Sequence, residues 1–144
     1  MRSDRIVEKA REWIKTPFHE QGRHKGIGCD CIGLILGIAK DIGAVSLTGK
    51  PWDECDISAY DTDKDSQMML ELLPKHFPVS ETQLKLGNIL LIEIVPNQYH
   101  VCLITDDDPL KIIHSCNSLG FVMEHRIIPS WKDQIKGIFK FPLP

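Results

Sequence analysis

The sequence predicts an α+β fold, with N-terminal helices packed on a five-to-six-stranded antiparallel sheet. Three observations predict it. Two helix-like stretches come first, at 3–15 and 31–42, and the second is apolar nearly all round. After Leu86-Gly87-Asn88 the character changes to short runs of β-branched and aromatic residues. Turns holding Pro, Asn, Asp and Gly separate those runs. Helices first and antiparallel strands afterwards is the α+β order.

Each element has its own justification. In 3–15, Ile6, Val7, Ala10, Trp13 and Ile14 fall on one face at helical spacing. Ser3 is placed to cap that helix and Pro17 to stop it. Gly22, Gly26 and Gly28 mark a loop. From Cys31 to Ile42 the apolar residues are Ile32, Leu34, Ile35, Leu36, Ile38, Ala39 and Ile42, the composition of a buried helix. Gly43 suits its C-terminal end. Residues 44–62 read as irregular surface. A short amphipathic helix follows at about 64–76, ended or kinked by Pro74. The runs 89–95, 99–105, 110–116, 121–127 and 135–141 read as five strands of a meander.

The bulk properties exclude several classes. A chain of 144 residues suits one domain, 1–144, with a real core. With 42% hydrophobic and 26% charged residues it has the make-up of a globular protein. The net charge is -3 and the basic residues are scattered, so no nucleic-acid footprint is present. The start, MRSDRIVEKAREWI, has no apolar signal-peptide core. No apolar run is long enough for a membrane span. The expectation is synthesis in the cytoplasm without a signal peptide and without a transmembrane segment. Five cysteines, an odd number, argue against a disulfide framework in such a chain.

The chemistry centres on Asp30-Cys31. Asp30 is a good N-cap for the helix that begins at Cys31. The sulfur would then sit at the positive end of a buried helix, where the dipole and unpaired N–H groups favour thiolate. The Cys31 N–H could donate to an oxyanion if Asp30 caps the next turn. The preceding glycines would keep the approach open to a substrate backbone. The plainer alternative is a small core residue at the head of an apolar helix.

A nucleophilic thiol needs a base. His100 and His114 lie within expected strands joined by a short acidic turn, and a hairpin would bring them together on one face. One histidine taking a proton and the other orienting it would suit that arrangement, and two half-buried histidines satisfied by backbone groups would suit it too. Cys29-x-Cys31, His100-x-Cys102 and His114-x-Cys116 also offer soft metal ligands. Structural zinc sites more often use wider cysteine spacings, which ranks metal well below thiol catalysis. His125 beside Glu124 reads as a solvated pair. Trp13, Trp52 and Trp131 read as core or edge aromatics, and the run Asp106 to Asp108 reads as an exposed turn.

Together these parts resemble the NlpC-type cell-wall peptidases, papain-like cysteine hydrolases of bacterial peptidoglycan. Trp13-x3-Pro17-Phe18 resembles the family's opening segment, and Asp30-Cys31-Ile32-Gly33-Leu34 its D-C-S-G-(L/F) nucleophile motif. Leu86-Gly87-Asn88-Ile89-Leu90 resembles its L-x-x-G-D stretch. His100-Val101 is similar to its H-V-(G/A) base, and Ile113-His114-Ser115 to its I-H-A motif. The likeness runs from about Ile6 to Ile127. The segment from Thr16 to Leu34 looks most like the phage and prophage branch.

The resemblance implies a papain-like NlpC-type fold and catalytic residues Cys31 as nucleophile, His100 as base and His114 as the residue that orients it. It implies support at the oxyanion from the neighbourhood of Asp30 and Phe18, with Phe18 standing where many members have tyrosine. Ile32 and Asn88 also depart from the usual serine and aspartate. No cofactor or metal is implied. The substrate implied is the peptidoglycan stem peptide, cut at the γ-D-glutamyl–diamino acid bond. The setting implied is a phage or prophage tail acting on the cell wall, with phage tail proteins as partners. A tail-assembly component with weak or lost hydrolase activity is the alternative. Cys29 has no required role, and neither have Cys102 and Cys116.

Overall fold

The computed structural model describes residues 2–55, 65–80 and 84–143. Helix α1, Ser3–Arg11, buries Ile6, Val7 and Ala10. It is shorter than the apolar spacing predicts. Its N-cap is Arg2, with no side-chain cap, so Ser3 is the first helical residue and not the cap. The chain leaves the helix at Glu12, well before Pro17, and reaches a left-handed conformation at Lys15 (φ 74°). Trp13 stays in the core by turning its ring over Gly37 and donating from Nε1 to Asp41.

The expected loop holds a small hairpin, β1 (Arg23–His24) and β2 (Gly28–Cys29). Helix α2, Cys31–Asp41, is buried over most of its length, as its all-round apolar sequence requires. It ends in a Schellman motif. The Ala44 N–H donates to the Ala39 carbonyl and the Gly43 N–H to the Lys40 carbonyl, with Gly43 at φ 73°. Next come a 3-10 turn at Trp52–Glu54, a second at Ser66–Met68, and helix α3, Met69–His76. Part of the irregular segment and the expected helix start at Lys64 lie outside the described residues. Pro74 sits in the last turn of α3 and does not end it at once.

Five antiparallel strands form the main sheet: β3 (Ile89–Val95), β4 (Gln98–Asp107), β5 (Leu110–His114), β6 (Met123–Arg126) and β7 (Ile135–Phe139). Their spatial order is β6-β5-β4-β3-β7. The last strand therefore does not extend a meander beyond β6. It crosses back, after a short helix α4 (Pro129–Lys132) absent from the sequence reading, to pair with β3. Pairing there covers a β3 edge that would otherwise be open.

Two other departures shape the site. Asp106 and Asp107 belong to β4, and only Asp108-Pro109 turns into β5. The turn between His100 and His114 is thus shorter than the acidic run, because two of its aspartates extend β4. Strand β6 is shorter than 121–127 because Phe121 and Val122 pair elsewhere. The Val122 carbonyl accepts from the Lys15 N–H, the Val122 N–H donates to the Thr16 carbonyl, and Phe18 donates to the Gly120 carbonyl. This ties the end of α1 to the loop after β5.

The sheet is apolar on both faces. Val101, Leu103 and Ile113 face α2, with Trp13, Leu34, Ile35 and Ile38. Leu90, Ile92, Cys102, Ile104 and Ile112 pack on the other face, with Trp131 of α4 and Ile135 beside them. Among the described residues no helix is long and apolar enough to cross a membrane.

Candidate active site

The N-terminus of α2 is built around one buried carboxylate. Asp30 caps the helix through Oδ1, which accepts from the Gly33 N–H at 2.7 Å. Capping at the third helical position leaves the Cys31 N–H out of the cap. The same oxygen accepts from Arg23 Nη1 at 2.9 Å, and Oδ2 accepts from the Gln21 N–H at 2.8 Å. Asp30 is fully buried, so these bonds offset the desolvation of its charge.

The glycines serve this cradle. A Cβ on Gly33 would run into the Gly22 carbonyl oxygen, and a Cβ on Gly22 would lie 2.6 Å from the Gly28 carbonyl oxygen. The close approach they permit is of the chain to itself.

Cys31 and His100 line one cleft of about 160 Å³, together with Phe18, Gln98, Tyr99 and Ser115. Cys31 is 3% exposed and His100 6%. His100 alternates with Val101 and so belongs to the β4 face of Cys102, yet it reaches the cleft near the start of the strand. Behind it, His100 Nε2 and His114 Nδ1 are 2.8 Å apart. Extending the β4–β5 register places His114 opposite Cys102, so the two histidines are diagonal neighbours.

The chain of rings continues. His114 Nε2 lies 2.7 Å from His125 Nε2, and His125 Nδ1 lies 2.7 Å from the Arg126 carbonyl oxygen. The reading of His125 with Glu124 as a solvated pair is overturned. Neighbours on a strand point to opposite faces. Glu124 goes to Arg11, at 3.0 and 2.9 Å, while His125 goes to His114. Trp131 is a wall of the site, its ring centroid 5.4 Å from those of both His100 and His114.

Burial sets the protonation states. It pushes the Cys31 thiol far up, with the charge of Asp30 adding to the effect and the backbone N–H groups of Val101 and Ile32 working against it. The expectation that the helix terminus lowers this pKa is thus corrected: loss of hydration outweighs the backbone N–H groups that face the sulfur. Burial also drives His100 down to about 4. His114 is lowered by burial and then by the neighbouring His100 and His125. At neutral pH the thiol and these two rings are neutral.

Cys29 is structural. It is fully buried, its N–H donates to the Pro17 carbonyl, and its carbonyl accepts from Ser115 Oγ at 2.8 Å. Burial pushes its thiol up to about 12. Ser115 thereby pins the loop ahead of Cys31 to the residue after His114. Cys102 lies on the far face of the sheet, and Cys116 is half-buried near Ser118 Oγ at 3.4 Å. Cys29 and Cys102 lie outside the cleft of Cys31 and His100, and among the described residues no group of three or more His, Cys, Asp or Glu is placed to hold a metal ion. In a second cleft, Cys55 and His76 are engaged: His76 Nδ1 is 2.8 Å from Ser46 Oγ, and Cys55 Sγ is 3.3 Å from the Pro51 carbonyl oxygen.

No sequence-family model matches the chain, and no curated protein matches it. Solved structures do match. The NlpC/p60 domain of the peptidoglycan hydrolase SagA covers 98% of this chain and 100% of its own, at TM-score 0.59 and 19% identity. An NlpC/p60 family protein from Bacillus cereus covers 100% of this chain and 41% of its own, at TM-score 0.60 and 19% identity. The chain has the NlpC/p60 fold. NlpC2 from Trichomonas vaginalis agrees over 96% of this chain and 46% of its own, at TM-score 0.66 and 12% identity. The chain thus spans the whole SagA domain and less than half of the other two proteins.

Within this NlpC/p60 fold, sequence reasoning missed Arg23, Ser115, His125 and Trp131. Ser115 adjoins His114 and could have been suspected. His125 could have been found only by carrying the strand register from β5 to β6, where Ile112 faces His125. Nothing local marks Arg23 or Trp131.

Proposed function

We propose that this chain is a cysteine endopeptidase that hydrolyses an amide bond in peptidoglycan stem peptides. One observation carries the reading. Cys31, at the head of buried α2, shares a cleft with His100, whose far side is bonded to His114.

In this mechanism the Cys31 thiol gives its proton to His100 Nδ1, the ring nitrogen not engaged by His114, as the sulfur attacks the amide carbonyl. Because burial disfavours a standing ion pair, proton transfer accompanies attack. The Cys31 N–H donates to the oxyanion. The imidazolium returns its proton to the leaving amine, and water then hydrolyses the thioester, with the same nitrogen acting as base. His114 holds the ring in place. No cofactor takes part. Phe18 offers the cleft a wall without a hydroxyl.

The bond proposed is the γ-D-glutamyl–diamino acid link, on the likeness of the Asp30–Leu34 and His100–Val101 motifs to the NlpC-type peptidases. The phage-tail setting rests on the segment from Thr16 to Leu34. Mass spectrometry of muropeptides after digestion tests the activity and names the bond. New termini at that link, absent with Cys31→Ala, are the expected result. An unaltered digest with the folded wild-type protein would overturn the proposal.

A further inference from the structure

We propose that His125 is a positioning residue that fixes the tautomer of His100, through His114, from the Arg126 carbonyl at the far end of the chain of rings. The effect on catalysis rests on the cysteine-peptidase reading above. The tautomer itself rests on the hydrogen bonds alone.

The Arg126 carbonyl oxygen can only accept, so His125 Nδ1, 2.7 Å away, carries a proton. In a neutral ring the other nitrogen then has none. His125 Nε2 must therefore accept from His114 Nε2–H across 2.7 Å. His114 Nδ1, now bare, must accept from His100 Nε2–H across 2.8 Å. His100 is left with an unprotonated Nδ1, the nitrogen assigned to take the thiol proton. The reverse order would set the bare His125 Nδ1 against a carbonyl lone pair, which is repulsive.

The surroundings favour this directional chain. Trp131 stands against both rings, tilted to His100 and edge-on to His114, with each centroid 5.4 Å away, and limits how the two imidazoles can turn. Both of those rings are buried, so an unmatched nitrogen would be costly. The three histidines sit on β4, β5 and β6, each step a diagonal cross-strand pair, so the sheet register itself builds the relay.

The test is nitrogen NMR of protein labelled with 15N-histidine, at about pH 8 where ordinary imidazoles are neutral. In the wild type, His100 is expected to show a bare Nδ1 and a protonated Nε2. A protonated His100 Nδ1 would overturn the proposal without any variant. In His125→Leu the His100 signals are expected to move to a mixture of tautomers. His125→Gln, whose amide oxygen can accept from His114 Nε2–H, is expected to restore the wild-type pattern. In the hydrolysis assay His125→Leu should lower kcat by about tenfold with KM unchanged, and His125→Gln should recover most of that loss. Unchanged His100 signals in folded His125→Leu would refute the tautomer role. A wild-type protein with the expected signals but no hydrolysis would overturn the peptidase reading and leave the tautomer assignment standing.

Discussion

Burying His100 makes the fold sensitive to acid, and the size of the effect follows from its pKa. An ordinary imidazole value of 6.5 falls to about 4 in the folded chain, through burial. At about 1.36 kcal/mol per pH unit, the whole interval is worth about 3 kcal/mol. The folded pKa is depressed, so the unfolded chain takes up the proton first as the pH falls. Stability is intact above about pH 6.5, declines below it, and the full contribution is gone near pH 4. Between about pH 7.5 and about pH 5, His100 alone should account for a loss of about 2 kcal/mol. The perturbation is His100→Gln, which removes the titrating ring and keeps an amide that can face His114. Urea unfolding at the two pH values gives the stability of each protein. The drop on acidification should be smaller in the variant by about 2 kcal/mol, with a residual drop from His114, which is also lowered by burial. Equal drops in wild type and variant would refute the claim that the buried ring resists protonation.

Three further outcomes are expected. Gly33→Ala, a change that in most helices is mildly favourable, should here destabilise the fold by about 1–3 kcal/mol in urea unfolding, because the added Cβ collides with the Gly22 carbonyl. Iodoacetamide should alkylate the half-buried Cys116 before Cys31 near neutral pH, and the Cys31 rate should climb into the alkaline range; rapid labelling of Cys31 under mildly acidic conditions would show a stabilised thiolate that its burial does not support. Phe18→Tyr puts a hydroxyl into the cleft, and hydrolysis should be unchanged or faster, up to about tenfold if one hydrogen bond of about 1.4 kcal/mol forms in the transition state; a large loss in a folded variant would contradict the position of Phe18 in the cleft.

What could be read from the sequence was what local rules decide. Asp30 before an apolar helix is an N-cap by chemistry that spans three residues, and it is one here. The Gly43 ending and the β3–β4–β5 run are local in the same sense. The helix-then-strand order was enough for the fold class. What could not be read depends on partners far apart in the chain. Strand β7 pairs with β3 across the whole β4–β6 excursion, and nothing in 135–141 names that partner. His125 reaches His114 only because of register, and Trp131 reaches both inner histidines from a one-turn helix that sequence periodicity does not reveal. The Cys31 thiol shifts the opposite way from the local expectation because the fold strips water from it on every side, with groups drawn from α2 and β4, while the helix end that the sequence displays acts from one direction.

Among the described residues, strand β6 has a neighbouring strand on one side only. Its four residues pair with β5 and with no other strand of the sheet. An outer strand this short is among the first parts of a sheet to open, well below the free energy of global unfolding. When it opens, the main body of the sheet and α2 can persist, while His114 loses the ring that accepts its Nε2 proton. Warming should therefore slow the proposed hydrolysis before it melts the molecule, and amide exchange at Met123 to Arg126 should report the temperature at which that begins.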